Sequence, residues 1–274
     1  MRSGEDAGSE PLSAPEVAAA DYDSEYFLHS CMGADAWRET DGQGADPLYQ
    51  GMLALAGMQP GERVLDLGTG RGELLVAALR AGAAEAVGVD YAEAAIELAR
   101  RTLAGAGDPP QARALLADAR RLPVDDGGFD LVTMLDVVEH LTDAELDHAL
   151  GEARRALRPG GRLFVHTALN PLIYDVTYRL QRALVPARRR SWPAEPRSED
   201  ELRFHVNEQT PRSLRRAMRR AGFVDVETGL GRWVHTDFVP AERARRTYHR
   251  LARLPGLRLL AIADVHGIAV APGA

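Results

Sequence analysis

Val64-Leu65-Asp66-Leu67-Gly68-Thr69-Gly70-Arg71-Gly72-Glu73-Leu74, or VLDLGTGRGEL, puts glycine at every second position behind a short apolar run that carries one acid. A β-rich run that ends in such a turn and opens a helical stretch brings bare backbone N–H groups close to a ligand. Outward from this point the pattern alternates. Arg63–Leu67, Ala86–Asp90, Ala112–Leu116, Phe129–Met134 and Gly161–Thr167 read as strands, and Glu73–Arg80, Ala92–Ala104 and Asp143–Leu157 as helices. Alternation of this kind predicts right-handed βαβ units around a buried parallel sheet. Leu157-Arg158-Pro159-Gly160-Gly161 reads as a helix stop followed by a turn.

The ligand is narrowed by what departs from a dinucleotide fingerprint. In G-x-G-x-x-G terms Gly68 and Gly70 fit, but Glu73 occupies the sixth position. Asp66, just ahead of the loop, would repel a pyrophosphate. A ligand with a cationic centre and an amino group suits that acid, and S-adenosylmethionine carries both. Asp90 ends the next strand, about 20 residues on, where a carboxylate takes ribose hydroxyls in many nucleotide folds. Asp118-Ala119 follows the third strand, where an acid and a neighbouring amide can meet an adenine edge.

With VLDLGTGRG, GVDY, LLADAR, FDLVTMLDVVEHL and LRPGGRLFVHT in this order, the chain resembles the class I S-adenosylmethionine-dependent methyltransferases. The resemblance covers residues 60–170 and extends to 204–227. It implies an α/β, Rossmann-like sheet of seven strands, mostly parallel with one antiparallel strand near the C-terminal end and helices on both faces. It also implies Asp66, Gly68, Gly70 and Gly72 at the methionine end of the cofactor and Asp90 on the ribose. Tyr91 would pack on the adenine, Asp118 and Ala119 at its edge, and Asp136 near the sulfonium and the substrate.

Transfer from a sulfonium needs alignment, exclusion of water and, for a protonated nucleophile, a base. His140, His166 and His205 all belong near the C-terminal edge of the sheet and are the candidate catalytic residues. In a helical turn Asp136, Glu139 and His140 share one face, at i, i+3 and i+4. With His205 they could hold a divalent cation. This resembles the Glu-x-x-Glu-His metal motif of small-RNA 2′-O-methyltransferases and ubiquinone O-methyltransferases, with a shorter Asp as the first ligand. A metal-free histidine base and purely local hydrogen bonding are the other two readings. The segment Asp21–Leu28 is aromatic, and Tyr22 or Tyr26 could cover the cofactor or pack locally; Cys31 reads as a small buried hydrophobe.

At 274 residues the chain suits one sizeable α/β domain. Its 33 basic residues are all arginine, which a GC-rich genome explains, and a formal charge of −7 argues against a general nucleic-acid or membrane-surface binder. One cysteine excludes an internal disulfide framework; no apolar leader or membrane-length run is visible, so a cytoplasmic location is expected. The expected organisation is a disordered leader (1–20), a helical N-terminal cap (21–60), a cofactor-binding core (61–169), an insertion or lid (170–205) and the C-terminal part of the sheet (206–274). Within that last part Thr210–Gly222 reads as a helix, Phe223–Glu227 and Ala263–Ala271 as strands.

The expected function is S-adenosylmethionine-dependent methyl transfer to an oxygen or nitrogen nucleophile of a small molecule. Specialised metabolism or glycan tailoring is the expected setting, by analogy with Arg-rich actinobacterial proteins. A fold repurposed for cyclisation, hydroxylation or decarboxylation is the alternative, and an RNA or protein methyltransferase a further one; RLQRALVPARRR could form a local phosphate patch. The homodimer question is open from sequence.

Overall fold

In the order of the chain, β-rich runs become strands wherever both faces can be covered, because a parallel sheet buries its two sides under crossover helices. The computed structural model describes residues 12–44, 47–184, 192–234, 236, 239 and 242–273. The strands are β1 (Arg63–Leu67), β2 (Glu85–Asp90), β3 (Ala112–Leu116), β4 (Phe129–Leu135), β5 (Leu157–Ala168), β6 (Val224–Leu230) and β7 (Asp264–Val270). They form one sheet in the order β3-β2-β1-β4-β5-β7-β6. Only β7 runs against its neighbours, pairing antiparallel with both β5 and β6. The seven strands and the single reversed one agree with the expectation.

The helices are α1 (Ala34–Thr40), α2 (Pro47–Leu55), α3 (Glu73–Arg80), α4 (Glu93–Gly105), α5 (Asp143–Ala156), α6 (Arg179–Leu184), α7 (Glu199–Phe204), α8 (Pro211–Arg220) and α9 (Glu242–Leu251). Strand side chains alternate between faces. Val64, Leu131 and Phe164 therefore pack with Leu74, Leu75 and Ile96 from α3 and α4. Leu65, Val132 and Val165 turn the other way, onto Leu146 and Leu150 of α5 and Leu214 and Met218 of α8. Each of these leucines, valines and phenylalanines contributes about 1.5–3 kcal/mol on burial. The direction of chain progression reverses between β1 and β4, and ligands of open α/β sheets bind outside the carboxyl ends of strands at that point.

One local expectation is corrected. Residues 157–161 are not a turn ahead of the fifth strand; β5 already begins at Leu157, and the register with β4 slips between Phe129 and Leu131. The irregularity lies between Leu157 and Arg162, and within it an added Cβ on Gly161 would lie 2.9 Å from the Arg158 carbonyl oxygen, so that position must be bare. The stretch from Ile173 through α6 is helical, but its buried face (Ile173, Tyr174, Tyr178) packs with Trp192, Tyr248 of α9 and Ala261. It builds a third core, and Pro196, Asp200, Glu201 and Phe204 from the rest of the 170–205 stretch line the cavity described below. The first half of the RLQRALVPARRR stretch is α6, and residues 185–190 lie outside the described residues. Among the described residues no helix is long and apolar enough to cross a membrane.

Candidate active site

A cavity of about 980 Å³ opens at the carboxyl ends of β1, β2, β4 and β5. Its volume is at the upper end of the roughly 300–1,000 Å³ usual for small-molecule sites. Asp66, Gly68, Gly70, Asp90, Tyr91, Asp118, Ala119, Asp136 and Tyr26 line it, as do His140, His166 and His205. Gly72 does not. Its bare face abuts Ala99 of α4, 3.0 Å from where a Cβ would sit, so it serves close helix packing instead of the methionine end. The helix α3 begins directly after it.

The glycine turn is left-handed at Gly68 and Gly70, and a Cβ on Gly68 would run into Val137. Gly70 N–H donates to Asp90 Oδ2 at 3.0 Å, and Ala92 N–H to Asp90 Oδ1 at 3.0 Å, which ties the loop to the end of β2. Asp66 accepts from Thr133 Oγ1 at 2.6 Å. Burial raises both carboxyls, Asp66 to about 7 and Asp90 to about 6, with hydrogen bonds pulling the other way. Neither carboxylate has an ion-pair partner among the described residues. Two buried acids beside bare backbone make a cradle that fits a cation with an amino group and a ribose.

At the adenine end expected from sequence, Asp118 is already engaged. Arg120 grips both its oxygens (2.7–3.0 Å) and bridges to Glu145 Oε1 at 3.0 Å. Glu145 also closes the capping box of α5 with Thr142 and accepts Glu16 N–H at 3.0 Å. The N-terminal segment is thereby strapped across the cavity. Tyr91 Oη donates to the Val17 carbonyl, and Arg71, buried in the glycine turn, donates to the Phe27 and Met32 carbonyls and to Glu73. Both tyrosines considered from sequence face inward, Tyr22 and Tyr26 each with its ring centroid 4.9 Å from that of Phe204. Cys31 also lines the cavity, its thiol pushed up to about 12 by burial first of all.

The three histidines divide into two kinds. His166 Nδ1 lies 2.9 Å from Asp136 Oδ1, and Nε2 lies 3.8 Å from Asp264 Oδ2. Burial alone would lower its pKa, but the two carboxylates raise it to about 10. Its place between two carboxylates fits a charged strut better than a base. Asp136, left-handed at φ 52°, donates its N–H to the His166 carbonyl at 2.9 Å, so the two residues are latched twice.

His140 and His205 meet edge to face, with centroids 5.1 Å apart. Burial lowers both, His140 to about 3, so both are neutral at pH 7. His140 Nδ1 is occupied by Tyr22 Oη at 3.0 Å and the Phe204 carbonyl at 3.1 Å, which leaves its chemistry to Nε2. His205 Nδ1 is buried with no hydrogen-bond partner among the described residues. Glu139 is fully buried and accepts from Thr167 Oγ1 at 2.8 Å; burial, then Asp136, push its carboxyl up strongly. Of the four metal ligands considered from sequence, Glu139, His140 and His205 offer atoms all within 4.8 Å of one another. Asp136 is drawn away to His166. The remaining N₂O set could take a divalent ion, with one arm fewer than expected.

Sequence reasoning missed Tyr22–His140, Arg120–Glu145 and Asp264. The Thr142–Glu145 capping box was readable from its spacing; Arg120–Glu145 joins residues 25 apart, Tyr22–His140 118 apart and His166–Asp264 98 apart, and none leaves a local trace.

The fold and the cradle define a class: the chain belongs to the class I S-adenosylmethionine-dependent methyltransferases. A family model described as a methyltransferase domain matches residues 64–161. The chain is 33% identical over 183 residues to the ubiquinone/menaquinone biosynthesis C-methyltransferase of Cupriavidus necator, covering 64% of this chain and 72% of that one. It is 46% identical over 105 residues to a demethylmenaquinone methyltransferase of Thermus thermophilus, covering 38% of this chain and 46% of the relative. The match spans between about a third and just over half of the length of the first curated relatives. A solved geranyl diphosphate C-methyltransferase of Streptomyces coelicolor shares the fold, at TM-score 0.57 and 19% identity, over 82% of this chain and 79% of that one.

Proposed function

We propose that the protein methylates an oxygen or nitrogen nucleophile of a small molecule, using S-adenosylmethionine, with His205 as the proton acceptor. Bound S-adenosylmethionine supplies an electrophilic methyl group on a sulfonium. Asp66 and Asp90 hold the amino and ribose groups, and the Gly68–Gly70 turn lets the backbone approach them. Tyr91 and the Asp118–Ala119 corner flank the base, while Asp136, fixed by His166, faces the sulfonium region. His205 would accept the proton of the acceptor group, and His140, pinned by Tyr22, would set the other wall.

The observation that carries this reading is that neutral His205 lines the same cavity as the carboxylate cradle, with its buried Nδ1 unpartnered among the described residues. The names of the quinone-methylating relatives favour a second reading, in which the nucleophile is a ring carbon beside a hydroxyl. The base it needs is the same.

The test is S-adenosylhomocysteine release across a panel of phenols, hydroquinones and amines. His205→Ala is expected to lower kcat by about 10²–10⁴-fold, the usual worth of a positioned base, with S-adenosylmethionine affinity unchanged. Asp90→Ala is expected to abolish cofactor binding by calorimetry. Absence of cofactor binding to the native chain overturns the proposal, and full turnover in His205→Ala overturns the role of the base.

A further inference from the structure

The cavity contains acids in excess of the cofactor's needs, and its cations are fully engaged. Among the described residues the only guanidinium groups lining it are Arg71 and Arg120. Arg71 donates to Glu73 and two strap carbonyls, and Arg120 to Asp118 and Glu145. His166, the one imidazolium, stands between two carboxylates, Asp136 and Asp264.

Away from the cradle the wall carries Asp200 and Glu201 of α7. Asp200 accepts from Ser30 Oγ at 2.6 Å and Glu201 from Tyr174 Oη at 2.8 Å, both neutral donors. Arg197 and Arg203 lie nearby in sequence but outside the lining. They are spent on Glu208, Asp175 and Glu195 and on Asp21 respectively. A carboxylate or phosphate entering here meets no unpaired cation and several like charges. The rest of the wall is apolar or aromatic: Tyr26, Leu169, Pro196, Phe204 and Trp233.

We infer that the cavity admits its methyl acceptor as an uncharged, largely apolar molecule and rejects acceptors that carry a carboxylate, sulfonate or phosphate. This deepens the proposed function by naming the substrate class, and it rests on the same cavity. Selection works by repulsion: the acids at Asp136, Asp200, Glu201 and Asp264 need no contact with the correct substrate to exclude the wrong one. They also favour the sulfonium cofactor in the adjoining cradle, so one field serves both ligands.

The test uses two dyes with the same skeleton, neutral N-phenyl-1-naphthylamine and anionic 1-anilinonaphthalene-8-sulfonate. Each is titrated by fluorescence into the full chain, with and without S-adenosylhomocysteine. The neutral dye is expected to bind at least a hundredfold more tightly in both conditions. Asp200→Arg, a change at the exposed rim, is expected to tighten the sulfonate by at least tenfold and leave the neutral dye unchanged. Equal affinities, tighter sulfonate binding, failure of the neutral dye to bind, or no response to Asp200→Arg each overturn the inference. The titration without S-adenosylhomocysteine keeps the two ideas apart. A chain that ignores the cofactor but discriminates between the dyes defeats the methyltransferase reading alone.

Discussion

Replacing His166 by Gln tests whether that histidine is a charged strut. In the folded chain its pKa is about 10, against an ordinary value of 6.5, because Asp136 and Asp264 outweigh the opposing effect of burial. A raised cationic pKa stabilises the fold fully below 6.5, and the contribution is lost as pH climbs from there through about 10. The slope over that window is about 1.4 kcal/mol per pH unit for one proton. His166 is 3% exposed, so solvent screening discounts this little. The native chain is therefore expected to lose roughly 3 kcal/mol relative to the variant between pH 7 and 9, most of the available window.

Urea unfolding followed by the fluorescence of Trp37, Trp192 and Trp233, at several pH values, reads the difference directly. Asp66 and Asp90 also titrate near neutrality, but they are present in both chains and largely cancel. At pH 6 His166→Gln is expected to be the less stable by about 3–5 kcal/mol, since it leaves two acids facing each other without their cation. The gap then closes as pH rises. A gap that does not change between pH 7 and 9 would refute the charged strut and return His166 to the candidate bases.

Cofactor affinity carries its own pH signature. Asp66 must be ionised to receive an ammonium group, and burial has raised it to about 7, so S-adenosylmethionine binding measured by calorimetry is expected to tighten from pH 5.5 to about 7 and then level off. Asp66→Asn should remove this rise, and a native affinity independent of pH would refute it. Gly68→Ala places a Cβ at φ 72° and against Val137, so a loss of about 1–3 kcal/mol is expected in thermal or urea unfolding. Adding Val137→Ala should recover only the part due to the clash, and full recovery would show that the backbone conformation costs nothing.

The half of the site built on strand ends was legible because its signals are local. VLDLGTGRG, Asp90 and Asp118 announce themselves by type and spacing, and the β-rich runs fixed five strands to within a few residues. The start of β5 was misplaced because Pro159, Gly160 and Gly161 are turn residues by any local rule, whereas the β4 pairing keeps the strand going through a bulge. Gly72 looked like the third loop glycine, yet its neighbour is Ala99, 27 positions on. The histidines could be placed at one edge but not sorted. His166 is distinguished by Asp264, and His140 by Tyr22 Oη, contacts that exist only once β7 and the N-terminal strap have docked.

Arg71 gives the glycine turn a history of its own. It sits inside the motif that cradles the ligand, but its hydrogen bonds go to backbone carbonyls of Phe27 and Met32. Backbone carbonyls survive almost any substitution, so residues 27–32 are free to drift in side chain while keeping this tie. What they are not free to do is shorten. A lineage that lost this segment would strand a buried guanidinium with only Glu73 to answer it. Position 71 and the length of this segment are therefore expected to change together among descendants, or not at all.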